Sequence, residues 1–154
     1  MWGQQVLPLL FKAETLLFSL TYTSFYYDIC TGAVDLDTDT FKMLLVTSTY
    51  TADKTHDRRN DVTNEVSGTG YTAGGNACTP TVTQDNTNSR VTIDLTVTSW
   101  TSSTITARGG VVYKSRGGAS SADELVCYLD FGADVSSTAG TFAVLVADPM
   151  VLQN

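Results

Sequence analysis

His56 is the single histidine of this 154-residue chain, and its chemistry is the first to consider. One histidine cannot build a multi-histidine zinc site, and a Ser-His-Asp triad would need His56 as its base. Asp57 is adjacent in sequence, but the chain has no Gly-x-Ser-x-Gly elbow to present a nucleophile. We therefore predict that His56 is a surface loop residue and that the protein is not an enzyme.

Three alternate acids, Asp35, Asp37 and Asp39, are spaced like the first ligands of a calcium-binding loop. The rest of that pattern is missing, because Thr40 stands at the sixth position and Val46 at the twelfth. We predict a solvated turn before a strand, with no metal and no other cofactor. A carboxylate pair for glycoside hydrolysis remains open, since the 16 acidic residues offer no spacing that singles out one pair.

A glycine-rich run, GTGYTAGG at residues 68–75, is the third chemical candidate. Phosphate-binding loops of this composition continue into Lys-Ser or Lys-Thr and lie between a strand and a helix. Neither feature accompanies this run. We interpret its glycines as turn residues with positive φ.

The charge balance argues against nucleic acid as a direct partner. Acidic residues number 16 and basic residues 9, which gives a net charge of −7, whereas phosphate binding needs clustered lysine and arginine. The one basic pair, Arg58 and Arg59, is flanked by Asp57 and Asp61, and we predict that these neighbours neutralise it. No run of 18 apolar residues exists, so no membrane span is predicted.

Three cysteines, at positions 30, 78 and 127, are odd in number and widely spaced. This spacing favours neither a disulfide framework nor a CxxC metal site, so we expect folding in the reducing interior of a cell. The apolar N-terminus lacks a positively charged start and contains Lys12 and Glu14, and we interpret it as mature chain rather than a signal peptide.

The elements that position these residues are strands, and the strand at residues 41–47 is the central one. Phe41, Met43 and Leu45 point one way along it, while Leu44 and Val46 point the other. Apolar side chains on both faces mean that both faces are covered. We predict that this strand lies in the middle of the core.

Six further strands are predicted from alternation and turn residues, at 16–22, 77–83, 90–97, 105–113, 125–131 and 142–147. Pro80 places its strand at a sheet edge, and the glycine pair at 109–110 indicates a bulge or a close backbone approach. Ser24 is expected to cap a short helix at 25–30 that Gly32 ends, and residues 57–63 to form a helical turn.

These elements predict an all-β fold, namely a β-sandwich, with a jelly roll as the alternative form and with one or two short helices. We predict one domain. Residues 1–31 form its N-terminal arm and first strand, and residues 32–154 form the sandwich body.

Aromatic and apolar side chains near the N-terminus and in later loops are the candidate partner contacts. They are Trp2, Leu7, Leu10, Phe11, Tyr26, Tyr27, Tyr71 and Trp100. Aromatic residues of this kind anchor protein interfaces. Ordinary core packing is the alternative for the aromatic residues, and the arm either covers its own domain or lies across a neighbouring subunit.

Three segments carry a resemblance to a family of small virion proteins of tailed phages and prophages. They are VDLDTDTFKMLLVTSTYTADKTHDRRNDVTNEVSGTGYTAGG, STITARGGVVYK and LVCYLDFGADVSSTAGTF. The similarity extends over residues 32–146, and its most specific parts are the His-Asp pair at 56–57, NEVSGTGY at 64–71 and YLDFG at 128–132. The family brings no catalytic motif.

The resemblance implies a phage virion protein, and most specifically a capsid decoration or cement protein that bridges and stabilises subunits of the major capsid protein. The expected partners are that shell protein and further copies of this chain, as a homodimer or homotrimer. The chain would fold in the host cytoplasm and then join the capsid surface. A tail or baseplate component and a host-surface glycan-binding module are the alternatives.

Overall fold

The computed structural model describes residues 11–12 and 18–153 of the chain and consists mainly of β-strands. The strands are β1 (Phe11–Lys12), β2 (Phe18–Thr21), β3 (Phe41–Val46), β4 (Asn76–Asp85), β5 (Arg90–Val97), β6 (Trp100–Lys114), β7 (Leu125–Ala143) and β8 (Met150–Gln153). One α-helix, α1 (Thr23–Thr31), and two 3-10 turns, Arg59–Asp61 and Ser120–Ala122, complete the described elements. The all-β prediction with short helices is confirmed.

All eight strands belong to one sheet, in the order β1, β7, β6, β3, β4, β5, β8, with β2 pairing beside β7. Thr96 at the end of β5 forms a bridge with Leu145, just beyond β7, so distant strands of the path meet. The sheet therefore folds over and encloses a core in a sandwich-like manner. One pairing path connects all the described strands, and the jelly-roll form stays a prediction.

The prediction for the central strand is confirmed, because β3 lies between β6 and β4 and is buried on both faces. Met43 and Leu45 belong to the larger hydrophobic cluster, whereas Leu44 and Val46 belong to a second cluster on the opposite face. That second cluster includes Tyr22 and the other side chains that cover this face, namely Tyr50, Val111, Tyr113, Leu125 and Tyr128.

A bulge at the glycine pair lets the long hairpin of β6 and β7 continue through the core. The register between these strands shifts between Ala107 and Gly109. A Cβ on Gly109 would lie 2.5 Å from a ring carbon of Tyr128, so the backbone approaches that ring too closely for any side chain. Because of the shift, Ala107 and Val112 contribute to the same cluster although one is odd-numbered and the other even-numbered.

Several strand boundaries differ from the predictions. β5 matches its predicted range. The predicted strand at 125–131 is the start of β7, which runs to residue 143, and only residues 142–143 of the predicted strand at 142–147 belong to it. β6 begins at Trp100, five positions before the predicted start, and β8 was not predicted. The unpredicted parts of β6 and β7 are rich in serine and threonine and show little apolar alternation. Their pairing with each other holds them in the sheet.

The predicted helix is present, but Ser24 does not cap it. The extended N-cap residue is Tyr22, which makes no side-chain capping bond. The Thr23 amide donates instead to the Lys54 carbonyl oxygen at 2.9 Å, a contact that satisfies the helix start from elsewhere in the fold. Gly32 ends the helix in the left-handed conformation, as predicted, with φ of 74°. Within the described residues, none of the helices has the length and apolarity that crossing a bilayer requires.

Candidate functional site

Two carboxylates of the acidic turn at residues 35–39, those of Asp35 and Asp39, accept hydrogen bonds within the turn. The Asp37 amide donates to Asp35 Oδ1 at 2.9 Å, and the Asp35 amide donates to Asp39 Oδ2 at 2.7 Å. The hydrogen bond from the Asp37 amide also lowers the pKa of Asp35. Asp39 pairs with Lys114 Nζ at 2.6 Å. Within residues 11–12 and 18–153, no three histidine, cysteine or carboxylate side chains are arranged to hold a metal ion.

His56 lies in a loop, as predicted, but it is half-buried and hydrogen-bonded. Its Nδ1 is 3.3 Å from the Tyr50 hydroxyl, which is 2.9 Å from the hydroxyl of Tyr22. Burial raises the pKa of Tyr22 far above its ordinary value, so that phenol stays protonated. Ser24 meets the backbone carbonyl of His56 and not its ring. This arrangement is a buried polar chain rather than a nucleophile with its base.

The two arginines are paired, as predicted, although mainly with other acids than expected. Arg59 Nε donates to Asp123 at 2.7 Å, far from it in sequence. Arg58 lies 3.6 Å from Asp28 and 3.9 Å from Asp57. Asp28 is only 4% exposed, and burial raises its pKa. These arginines are occupied in ion pairs and do not form a free anion-binding patch.

Trp100 and Tyr71 are structural rather than exposed. Trp100, a candidate partner contact, is buried as the core-packing alternative predicts: it starts β6, is 2% exposed, and packs edge-on against Phe142 with ring centroids 6.0 Å apart. Tyr71 is half-buried and stacks on Trp100, with 5.9 Å between the ring centroids. Its hydroxyl donates to Glu65 at 2.7 Å and accepts from the Leu45 amide at 3.0 Å, tying the glycine-rich loop to β3.

Among the residues whose side chains are described, the exposed aromatic ones lie on α1. Tyr26 is 47% and Tyr27 is 70% exposed, and we call these two side chains the tyrosine face. Tyr22 and Phe25, by contrast, are fully buried and hold the helix against the core. Of the other predicted contacts, Phe11 pairs with Phe142 through β1. Trp2, Leu7 and Leu10 lie outside the described residues.

A groove beside β4 was missed by sequence reasoning. One cavity of about 610 Å³ is lined by Ile29, Val34, Leu36, Asp37 and Val82, among others. A second, of about 240 Å³, shares Leu36 and Asp37 and continues past residues 77–80 of β4. We call the two together the β4 groove. Pro80 was the only sequence signal, because a proline in a strand marks an edge where another chain can approach.

Comparisons with family models, with curated proteins and with solved structures find no significant match to this chain.

Proposed function

We propose that this protein is a structural component of a tailed-phage virion, and specifically a decoration or cement protein. It would bind across neighbouring subunits of the major capsid protein at the outer surface of the shell. Further copies of the chain, as a dimer or trimer, would be its second partner. The protein would act through its surfaces and would not carry out catalysis.

The tyrosine face of α1 is the observation that carries this proposal. Tyr26 and Tyr27 project from a helix that Tyr22 and Phe25 fix in the core, so the exposed rings are held on a rigid support. Aromatic side chains anchor interfaces because they bury a large area while few torsions become ordered. The resemblance of residues 32–146 to phage virion proteins supplies the kind of partner.

A cement protein needs no strong individual contact. An interface of standard size, roughly 1,600 Å², repeated over a shell, resists the separation of subunits that packaged DNA drives. The acidic surface of the chain, with a net charge of −7, also fits a protein that stays outside the shell, away from DNA.

The test uses particles of the phage that encodes the chain, prepared without this protein. Purified full-length chain is added, and binding is measured by co-sedimentation, with heat resistance of the particles as the second readout. We expect the chain to bind and to raise heat resistance. The double variant Tyr26→Ser, Tyr27→Ser should fold normally and lose binding.

Val151→Ser is the matched control, because Val151 is 42% exposed on β8 and distant in sequence from α1. It should bind as the unmodified chain does. Particles that neither bind the chain nor gain heat resistance would overturn the proposal. If the double tyrosine variant still binds, the tyrosine face is not the surface that contacts the shell.

A glycan-binding module on the virion is the second candidate, and the same exposed tyrosines favour it because aromatic rings stack on sugar rings. Binding of the chain to a glycan array that disappears in the double tyrosine variant, together with no binding to shells, would select this candidate. Virion imaging that places the chain on the tail alone would select a tail or baseplate component.

A further inference from the structure

We propose that the β4 groove binds an extended, cationic segment of a partner protein, which adds as a strand along residues 79–85 and inserts an apolar side chain between Leu36 and Val82. The inference goes beyond the proposed function, because it does not depend on which particle or protein supplies the segment.

One side of β4 is open over most of its length. β4 pairs with β3 only through residues 76–78, where Cys78 lies opposite Phe41, whereas it pairs with β5 from Cys78 to Asp85. No other strand within residues 11–12 and 18–153 pairs with this strand. An open strand edge is a template for a further strand, since its backbone groups lack strand partners.

The backbone groups on the open side can be assigned. The Ala77 carbonyl accepts from Thr98, on the β5 side. Because successive residues of a strand direct their backbone groups to alternate sides, Val82 and Gln84 direct theirs to the open side. Pro80 lies on the same side and offers only a carbonyl, which is where a proline is tolerated in a sheet. The edge thus presents two amides and three carbonyls to an incoming strand.

The groove gives that strand somewhere to place side chains. Its two cavities lie end to end along β4 from Ala77 to Val82, a span of roughly 17 Å for an extended chain. Leu36 is half-buried and lines both cavities, and Val82 is 46% exposed. Alternate side chains of an added strand would face this apolar floor.

The charges of the groove indicate which segment fits. Asp35 and Asp37 are exposed at its rim, and none of its described lining residues is basic. Asp39 is neutralised by Lys114, but no ion pair within 4 Å engages the other two carboxylates in the described residues. A second copy of this chain, with a net charge of −7, would meet like charge there. A lysine- or arginine-bearing segment would meet opposite charge.

The experiment titrates the full-length, isotope-labelled chain with a blocked nine-residue peptide of alternating valine and lysine, followed by amide NMR. A peptide with glutamate in place of lysine tests charge, and one N-methylated at alternate backbone nitrogens tests strand pairing. We expect only the unmodified lysine peptide to bind. The chemical-shift changes that this peptide causes in the protein should be largest at the amides of Val82 and Gln84, with further changes at Leu36.

Variants test the two parts of the site. Val82→Lys should weaken binding by about tenfold or more, and Asp35→Asn with Asp37→Asn by a factor on the order of three to ten that shrinks at high salt. Val151→Lys, an equally drastic change at an exposed strand position outside the groove, should leave binding unchanged. Unaltered melting temperatures would show that the variants fold.

Several results would overturn the proposal. Equal binding of the glutamate peptide would remove the charge argument, and equal binding of the N-methylated peptide would remove strand pairing. Shifts at residues 79–85 that depend on protein concentration alone would identify a second copy as the occupant. Nuclear Overhauser contacts between residues 1–17 and 79–85 would identify the chain's own N-terminal segment.

Discussion

Two parts of the same sheet have opposite environments. The covered centre, which we define as β3 with the adjoining parts of β6 and β7, is apolar on both faces and buried on both. The outer hairpin, defined as β4 beyond residue 78 with β5 and β8, is mostly exposed along β4 and carries an open edge. The chain thus concentrates stability in one part and leaves backbone and apolar side chains accessible in the other.

The same strand geometry therefore serves two purposes, depending on which residues cover it. In the covered centre a change of one side chain disturbs two packed clusters at once. In the outer hairpin the same change meets solvent on one side. Paired substitutions, one in each kind of environment, measure this contrast directly.

The largest effect is expected from Gly75→Ala, because the added methyl group would clash with the backbone of the covered centre. A Cβ at Gly75 would lie 1.8 Å from the Met43 carbonyl oxygen, and the residue has φ of +71°. Since the obstacle is the backbone of β3, we expect a loss of more than about 4 kcal/mol in the free energy of unfolding, or failure to fold. Urea denaturation followed by circular dichroism measures it.

Gly117→Ala is the control, because Gly117 has nearly the same φ, +75°, with no atom within 4 Å of the added Cβ. It should lose only the backbone cost of about 1–2 kcal/mol. Equal losses at the two glycines would show that the close approach to β3 does not matter.

Next in size is the difference between two valine-to-alanine changes. Val46 in the covered centre is fully buried, whereas Val82 in the outer hairpin is 46% exposed. We expect Val46→Ala to lower the free energy of unfolding by about 2–3 kcal/mol, from lost burial and a cavity, and Val82→Ala to change it by less than about 0.5 kcal/mol. Similar values for both would mean that the outer hairpin is covered in solution.

A smaller effect tests how the glycine-rich loop is tied to the covered centre. Tyr71→Phe removes the hydroxyl that joins the Leu45 amide to Glu65. The lost bonds should cost about 1–2 kcal/mol, because the amide and the carboxylate both lose a partner. Tyr27→Phe, at a 70% exposed position, should leave thermal and urea unfolding unchanged. A neutral Tyr71→Phe would indicate that the other contacts of the loop hold it, such as the hydrogen bond from the Tyr113 hydroxyl to the Gly74 carbonyl oxygen.

The smallest expected effect is on the pH dependence of stability, and it comes from Asp28 in α1. Burial raises the pKa of Asp28 above 3.8, so the folded protein loses stability as pH rises from that value through the raised pKa. Asp28→Asn removes this loss. We expect it to be more stable than the parent at neutral pH, with no advantage in acid below both pKa values.

Glu124→Gln should change the stability at neutral pH in the opposite direction. Burial opposes ionisation of Glu124, but the hydrogen bonds and charge of Arg116, a backbone hydrogen bond and the charge of Arg58 together outweigh it and lower the pKa of Glu124 below 4.5. Stability is therefore gained above that value and lost as pH falls through the lowered pKa. The variant should be less stable than the parent at neutral pH and approach it in acid. Urea unfolding of both variants across this pH range would show curves that diverge in opposite directions.

Strand and turn identities followed largely from local patterns. The two-faced apolar pattern predicted β3 and its covered position, the strict alternation predicted β5, and Gly32 marked the end of α1. Each of these depends on residues within a few positions of one another. Whether Tyr26 and Tyr27 contact a partner stays a prediction.

The site was less predictable, because its parts meet only through long-range pairing. Trp100 is buried because β6 begins there and sets it against Phe142, and Arg59 finds its acid at Asp123 rather than next to it. The open edge of β4 exists because β3 pairs with only three of its residues.

The sequence by itself therefore determined an all-β chain with a covered central strand, since alternation and glycine positions are properties of neighbouring residues. Which aromatic rings are buried, which charges are paired and which strand edge is open became known from the folded arrangement. Those outcomes depend on which segments lie side by side, and the pattern within any one segment does not contain that information.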